Sequence, residues 1–194
     1  MKRVGLLGGA FNPIHIGHLV MAQVAVEKLR LDEVVFVPSF ISTHNRKNML
    51  VSPEHRFNMV KLALRGNLKF SVSDMEIKRK GVSYTIDTVK TLKEKTRKNT
   101  KYYFIIGQDN YNTLRSWKDI DELLRLVDFV VMKREDNKKN EKKIKAKFID
   151  MPSIGFSSSF IRKNIALKKS VQYYVPEKVI QYIKENNLYS INIR

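Results

Sequence analysis

Residues 3–18 read Arg3-Val4-Gly5-Leu6-Leu7-Gly8-Gly9-Ala10-Phe11-Asn12-Pro13-Ile14-His15-Ile16-Gly17-His18. An apolar run over 3–7 gives way to two glycines and a loop stiffened by Pro13. A largely apolar segment of helical length, 17–29, follows. The order is strand, loop, helix. Glycine lets a backbone turn sharply and approach a ligand closely. His15 and His18 stand three apart at or just before the first helical turn, a spacing that puts side chains on one face. Free N–H groups and the helix dipole favour an anion there, and two imidazole donors suit a polyphosphate. The pair alone also fits a metal site, although no third ligand of obvious type lies nearby, or plain helix-start residues. The loop matches neither G-x-G-x-x-G nor G-x-x-x-x-G-K-S/T, so the dinucleotide-fingerprint and P-loop readings fail.

The alternation continues outward. Residues 33–37 (EVVFV) form a strand closed by Pro38. Ser52-Pro53-Glu54 is a helix start, with a capping serine, a proline at the first helical position and an acid near the positive end of the dipole. That helix runs to about Arg65 and stops at Gly66-Asn67. Residues 69–73 form a strand, and 84–95 a helix with Ile86, Val89 and Leu92 on one side. Strands follow at 101–106, 127–132 and 145–149, then helices beginning near Ser157 and at Pro176. Strands alternating with helices predict an α/β, Rossmann-like, doubly wound fold with a mainly parallel sheet. One domain is expected over 1–194, with a small C-terminal helical part at about 157–190. Ligands of such sheets bind beyond the carboxyl ends of the strands. The segments to read together are therefore 8–18, 38–46, 74–85, 107–117 and Arg134. Residues 134–143 (REDNKKNEKK) read as a surface loop.

The chain has 194 residues, 43% of them hydrophobic, enough for a sizeable core. No apolar run reaches the ~18 residues of a membrane span, so no membrane partner is expected. The basic-then-apolar start mimics a signal peptide, but its apolar run is short and breaks on glycines. There is no cysteine, which excludes disulfides and thiolate metal sites and fits a cytoplasmic protein. Net charge is +18, from 37 Lys+Arg against 19 Asp+Glu. This implies either an anionic partner or compositional drift, since Lys, Asn and Ile are abundant throughout. No stripe of basic residues interleaved with aromatics appears, so nucleic acid is not the expected partner. Nothing in the sequence signals an oligomeric state.

His15-Ile16-Gly17-His18 resembles the H-x-G-H signature of the nucleotidyltransferase superfamily. Class I aminoacyl-tRNA synthetases share it, but they are usually much larger, and no Lys-Met-Ser-Lys-Ser motif occurs here. Residues 8–19 resemble the pattern G-G-S/T-F-D/N-P-I/V-H-x-G-H-L of the bacterial nicotinate-nucleotide adenylyltransferases, with Ala10 departing at a usually hydroxylated position. The resemblance covers almost the whole chain. Val37-Pro38 through Thr43-His44 is similar to a family segment that ends Pro-Pro-His-Lys or Pro-Pro-His-Arg. Ser42 and Thr43 replace the prolines here, Asn45 replaces the basic residue, and Arg46 and Lys47 follow. Ser83-Tyr84-Thr85-Ile86-Asp87-Thr88, Gly107-Gln108-Asp109, Trp117 and Phe156-Ser157-Ser158-Ser159-Phe160-Ile161-Arg162 match further family motifs.

The resemblance implies transfer of AMP from ATP to nicotinate mononucleotide, with Mg²⁺ carried on the ATP phosphates and no protein metal site. It implies ATP binding by Gly8, Gly9, Phe11, His15, His18, Gly107, Asp109, Ser158, Ser159 and Arg162, with His15, His18 and Arg162 catalytic. It implies that amides near Thr85, the face of Trp117, and His44 with Arg46 bind the pyridine nucleotide. Taken without it, Thr85 opens a helix, Trp117 packs or stacks, and His44 and Arg46 belong to a polar loop. The pantetheine-phosphate adenylyltransferases are the nearest rival. They carry Thr where His15 stands and lack the Trp117 region.

Overall fold

A computed structural model describes residues 1–43, 51–96, 99–134 and 144–190. The strands are β1 (Lys2–Gly9), β2 (Glu33–Pro38), β3 (Ile41–Ser42), β4 (Phe70–Val72), β5 (Val82–Ser83), β6 (Thr100–Gly107), β7 (Asp128–Arg134) and β8 (Lys147–Met151). The helices are α1 (Ile16–Leu29), α2 (Pro53–Ala63), α3 (Met75–Arg79), α4 (Thr85–Lys95), α5 (Gln108–Asn112), α6 (Ile120–Leu126), α7 (Ser158–Ala166) and α8 (Glu177–Glu185). A single 3-10 turn covers Leu114–Ser116.

Six strands form one sheet in the order β4-β2-β1-β6-β7-β8, and every neighbouring pair is parallel. Counting only these six, the order is 3-2-1-4-5-6, the doubly wound arrangement. The order reverses between β1 and β6. The crevice therefore opens beyond Gly8, Gly9 and Gly107, at the carboxyl ends of those two strands.

Side chains alternate across this sheet with period two, and both faces are covered, which makes the strands near-continuous apolar runs. Leu7, Tyr103, Ile105, Val130 and Met132 enter one core with Ala22, Ala25 and Val26 of α1, Met59 and Val60 of α2, Ile161 of α7, and Val179 and Ile183 of α8. Val4, Leu6, Tyr102, Phe104, Ile106, Phe129 and Val131 enter the other with Ile86 and Val89 of α4 and Leu123 of α6.

The expected strands and helices are present with small shifts at their ends. Ser52 caps α2 as read, its Oγ accepting from the His55 N–H at 3.4 Å. Several elements were not foreseen: α3, α5, the 3-10 turn, α6, and a separate two-stranded sheet pairing β3 with β5 in parallel. All are short, and the strands of the small sheet have two residues each, below any readable periodicity.

One reading is corrected. Gly8 and Gly9 do not turn the chain; they are the last residues of β1. They are small because neighbours crowd them: an added Cβ would stand 3.3 Å from the Phe104 ring at Gly8 and 3.3 Å from the Phe11 ring at Gly9. The left-handed backbone of the loop falls instead on Phe11, with φ 45°.

Gly5 is the tightest point of the sheet. A Cβ there would lie 2.8 Å from Leu31 Cδ1, 2.9 Å from Ile105 Cδ1 and 3.1 Å from Val34 Cγ2. Overpacking of this kind costs about 1–3 kcal/mol. Gly5→Ala is expected to lower the melting temperature by several degrees, at roughly 2–4 °C per kcal/mol for a chain of this size. An unchanged melting curve would show that Leu31 and Ile105 yield without cost.

Candidate active site

A cleft of about 760 Å³ lies at the carboxyl edge of the sheet, between β1 and β6. Its lining contains Gly8, Gly9, Phe11, His15, His18, Thr85, Gly107, Asp109, Trp117, Ser158, Ser159 and Arg162. Residues expected from five separate stretches of sequence thus share one cavity. His44 and Arg46 lie outside the described residues, as does most of the loop read at 134–143.

His15 is the N-cap of α1 and is buried, while His18 is half-buried in its first turn. The His15 N–H donates to His18 Nδ1 at 3.2 Å. The His18 N–H donates to the His15 carbonyl at 2.9 Å. The two rings lie 3.8 Å apart, tilted by 30°, and the edge of Phe11 meets His18 at 5.1 Å. Because Nδ1 of His18 accepts a hydrogen bond, its proton sits on Nε2 in the neutral ring. Burial first, and His15 beside it second, hold the His18 imidazole well below the ordinary histidine pKa. Phe11 lines the cleft, but its ring is buried in the core.

The loop before α1 is tied to α7. Arg162 donates to the Asn12 carbonyl at 2.7 Å and to Ser159 Oγ at 3.1 Å. Ser158 Oγ donates to the Pro13 carbonyl at 2.9 Å. The four-residue spacing of Ser158 and Arg162 thus puts both on adjacent carbonyls of one loop. Ser157 caps α7, its Oγ accepting from the Phe160 N–H at 3.3 Å. Tyr189, beyond α8, donates to Asn12 Oδ1 at 2.7 Å.

Elements from the opposite face of the sheet complete the cleft. The N-cap of α4 is Tyr84, and no side chain caps that end. The first-turn amides after it are therefore not occupied by a cap. The serine and threonines read as caps here serve other bonds: Ser83 Oγ accepts from the Phe40 N–H at 2.9 Å, and Thr88 Oγ1 donates to Glu76 Oε1 at 2.5 Å. Trp117 is held edge-on by Phe104 at 6.0 Å and Phe129 at 6.1 Å while lining the cleft, so it both packs and faces the cavity. Asp109 is exposed on the first turn of α5, where a tight turn was expected.

Sequence reasoning missed Ser39, Glu76 and Lys118 in the lining. Lys118 Nζ stands 4.7 Å over the Tyr84 ring and 3.5 Å from Asp87. Its place beside Trp117 was the available signal. Glu76 falls inside the segment 74–85 read as following a strand, but nothing local singles it out on its five-residue helix.

A strand–loop–helix with paired histidines at the switch point of a parallel sheet, closed by an arginine from a later helix, defines a nucleotide-binding transferase site. The cytidylyltransferase-like family model matches residues 6–164. A probable nicotinate-nucleotide adenylyltransferase of Shouchella clausii is 44% identical over 99% of both chains. One from Enterococcus faecalis is 43% identical over 97% of this chain and 85% of its own length. The chain belongs to the nicotinate-nucleotide adenylyltransferase family of the nucleotidyltransferase superfamily, and it is an enzyme. Among solved structures, Plasmodium falciparum nicotinic acid mononucleotide adenylyltransferase complexed with NaAD superposes with a TM-score of 0.82 at 26% identity, covering both chains fully. A Vibrio parahaemolyticus structure at 20% identity and a TM-score of 0.71 supports the fold.

The depressed His18 pKa has a consequence for stability. Between the folded value and the unfolded value near ~6.5, the unfolded chain binds more protons than the folded one, so stability rises with pH. It is lost as pH falls below ~6.5, by at most about 1.4 kcal/mol per pH unit from this residue. The ligand-free protein should melt lower at pH 5 than at pH 7, and His18→Gln should flatten that dependence. Identical slopes for both proteins would refute the neutral His18 ring.

Proposed function

We propose that this chain transfers the adenylyl group of ATP to nicotinate mononucleotide, giving nicotinate adenine dinucleotide and pyrophosphate. The carrying observation is the single cleft that joins His15, His18, Ser158 and Arg162 to Thr85 and Trp117. Cationic and hydrogen-bonding groups from α1 and α7 suit a triphosphate. A flat indole and an uncapped helix start from the other face suit an aromatic ring bearing a carboxylate. The relatives' names and the NaAD bound to the Plasmodium protein support the same substrates.

In the reaction, a phosphate oxygen of the acceptor forms a bond to the α-phosphorus of ATP. The bond from that phosphorus to the bridging oxygen breaks, and pyrophosphate leaves. The nucleophile is already anionic at neutral pH, so no protein base is required. Catalysis then comes from alignment and from stabilising charge on the leaving group. The Nε2–H of His18, with His15 and Arg162, supplies that charge and those donors, and Asp109 accepts from ribose hydroxyls. Mg²⁺ brought in on the phosphates of ATP would supply further charge neutralisation there. Among the described residues no group of three His, Cys, Asp or Glu side chains stands ready to hold a metal, and an ion that keeps mostly water and phosphate ligands needs none. Lys118, at the rim beside Trp117 and Tyr84, adds a cation that favours the acid over the amide.

Pyrophosphate release from ATP and Mg²⁺ tests the reading, with nicotinate mononucleotide, nicotinamide mononucleotide and phosphopantetheine offered in turn. The first is expected to be the fastest acceptor, and preference for phosphopantetheine would overturn the assignment. His18→Ala is expected to lower kcat by roughly 10²-fold or more, and near-wild-type turnover would remove its role. Trp117→Ala should mainly raise KM for the pyridine nucleotide while leaving KM for ATP little changed. Equal effects on both would make the tryptophan purely a packing residue.

A further inference from the structure

Among the described residues the largest fully buried side chain is that of Arg56, on α2, with 0% exposure. Its guanidinium is satisfied by main chain: NH1 donates to the Ala10 carbonyl at 2.7 Å, NH2 to the Phe40 carbonyl at 3.0 Å, and Nε to the Val51 carbonyl at 3.4 Å. Burial pushes its pKa down to about 10, so it stays cationic at neutral pH. A buried cation is costly unless paired and hydrogen-bonded. Here the hydrogen bonds go to two loops that lead into the cleft.

Ala10 belongs to the loop between β1 and α1, which carries the paired histidines. Phe40 lies between β2 and β3. Its N–H donates to Ser83 Oγ at 2.9 Å, and β3 pairs β5 with Ser42 opposite Ser83. Burial raises the Glu76 pKa, and the side chains of Thr88 and Ser83 beside it lower it; Thr88 Oγ1 in α4 donates to Glu76 Oε1 at 2.5 Å. A continuous polar path therefore runs Ala10, Arg56, Phe40, Ser83, Glu76, Thr88. It joins the triphosphate loop to the first turns of α4, where the acceptor is proposed to bind. Arg56 itself does not line the cleft.

We propose that Arg56 is a positioning residue that holds the triphosphate loop and the acceptor-binding helix start at the separation in-line transfer requires. It touches neither substrate; it acts through Ala10 and through Phe40 and Ser83. The planar fork of arginine reaches several carbonyls at fixed angles, whereas the point charge of lysine does not. The inference rests on the proposed reaction, and wild-type turnover with nicotinate mononucleotide tests that reaction separately.

Arg56→Lys is the test, with three readouts: kcat, the thermal melting curve, and the separate Kd values for nicotinate mononucleotide and for an ATP analogue with a non-transferable α,β linkage. Misalignment of about 1 Å costs on the order of 10²-fold in rate, so kcat is expected to fall roughly 10- to 100-fold while each Kd changes less than about threefold. A purely structural role would lower the melting temperature and leave kcat unchanged well below it. That result overturns the proposal, as does a rate loss fully explained by weaker binding of either substrate. Should Arg56→Lys not fold, Ser83→Ala cuts the same path at the Phe40 N–H and carries the same expectation and the same refutation.

Discussion

The loop from Ala10 to Ile14 is irregular yet mostly buried, so its backbone polar groups need partners that neither sheet nor helix supplies. Those partners come from far along the chain. Arg56 takes the Ala10 carbonyl, Arg162 the Asn12 carbonyl and Ser158 the Pro13 carbonyl. Tyr189 takes the Asn12 side chain. Side chains from α2, α7 and the segment after α8 thus converge on a few residues. Burial raises the Tyr189 pKa above the usual tyrosine range, which keeps its hydroxyl a donor. The left-handed backbone at Phe11 sits inside this set of bonds, where its neighbours hold it.

That convergence gives the C-terminal helices a function beyond covering the sheet. Arg162 is bound to main chain and to Ser159, so its guanidinium is held in one orientation beside the cleft. Ser158 orients the same helix end. His18 is likewise fixed, in tautomer by the His15 N–H and in plane by Phe11. Charge stabilisation by preset donors avoids reorganisation at the moment of reaction. The lowered pKa of His18, set by burial first and by His15 beside it second, fits a neutral donor in this arrangement.

Much of this was legible in residues 3–18, because a strand, a glycine pair and two histidines at helix start each carry a local signature. The serines and arginine of α7 were legible through the family motif that residues 156–162 match. The rest depends on contacts between distant residues. Arg56 reads as an ordinary helix residue after a capping serine, and nothing local says that it is fully buried. Gly8 and Gly9 read as turn glycines because the crowding that requires them comes from Phe104 and Phe11, one of them nearly a hundred positions away. The pairing of β3 with β5 leaves no trace in either dipeptide.

Ala10 shows how the two kinds of information meet. Its methyl side chain departs from the hydroxylated residue that the family pattern carries, and from sequence alone that counts as one lost contact. The fold assigns the position a task that no side chain performs: its carbonyl receives the shortest of the Arg56 hydrogen bonds. Substitution of the side chain leaves that bond intact. The site therefore tolerates change at Ala10 more readily than at Arg56, although only the former sits in the recognisable motif. What the loop must preserve is the direction of its carbonyls, because the donors that meet them fix the loop at the edge of the cleft.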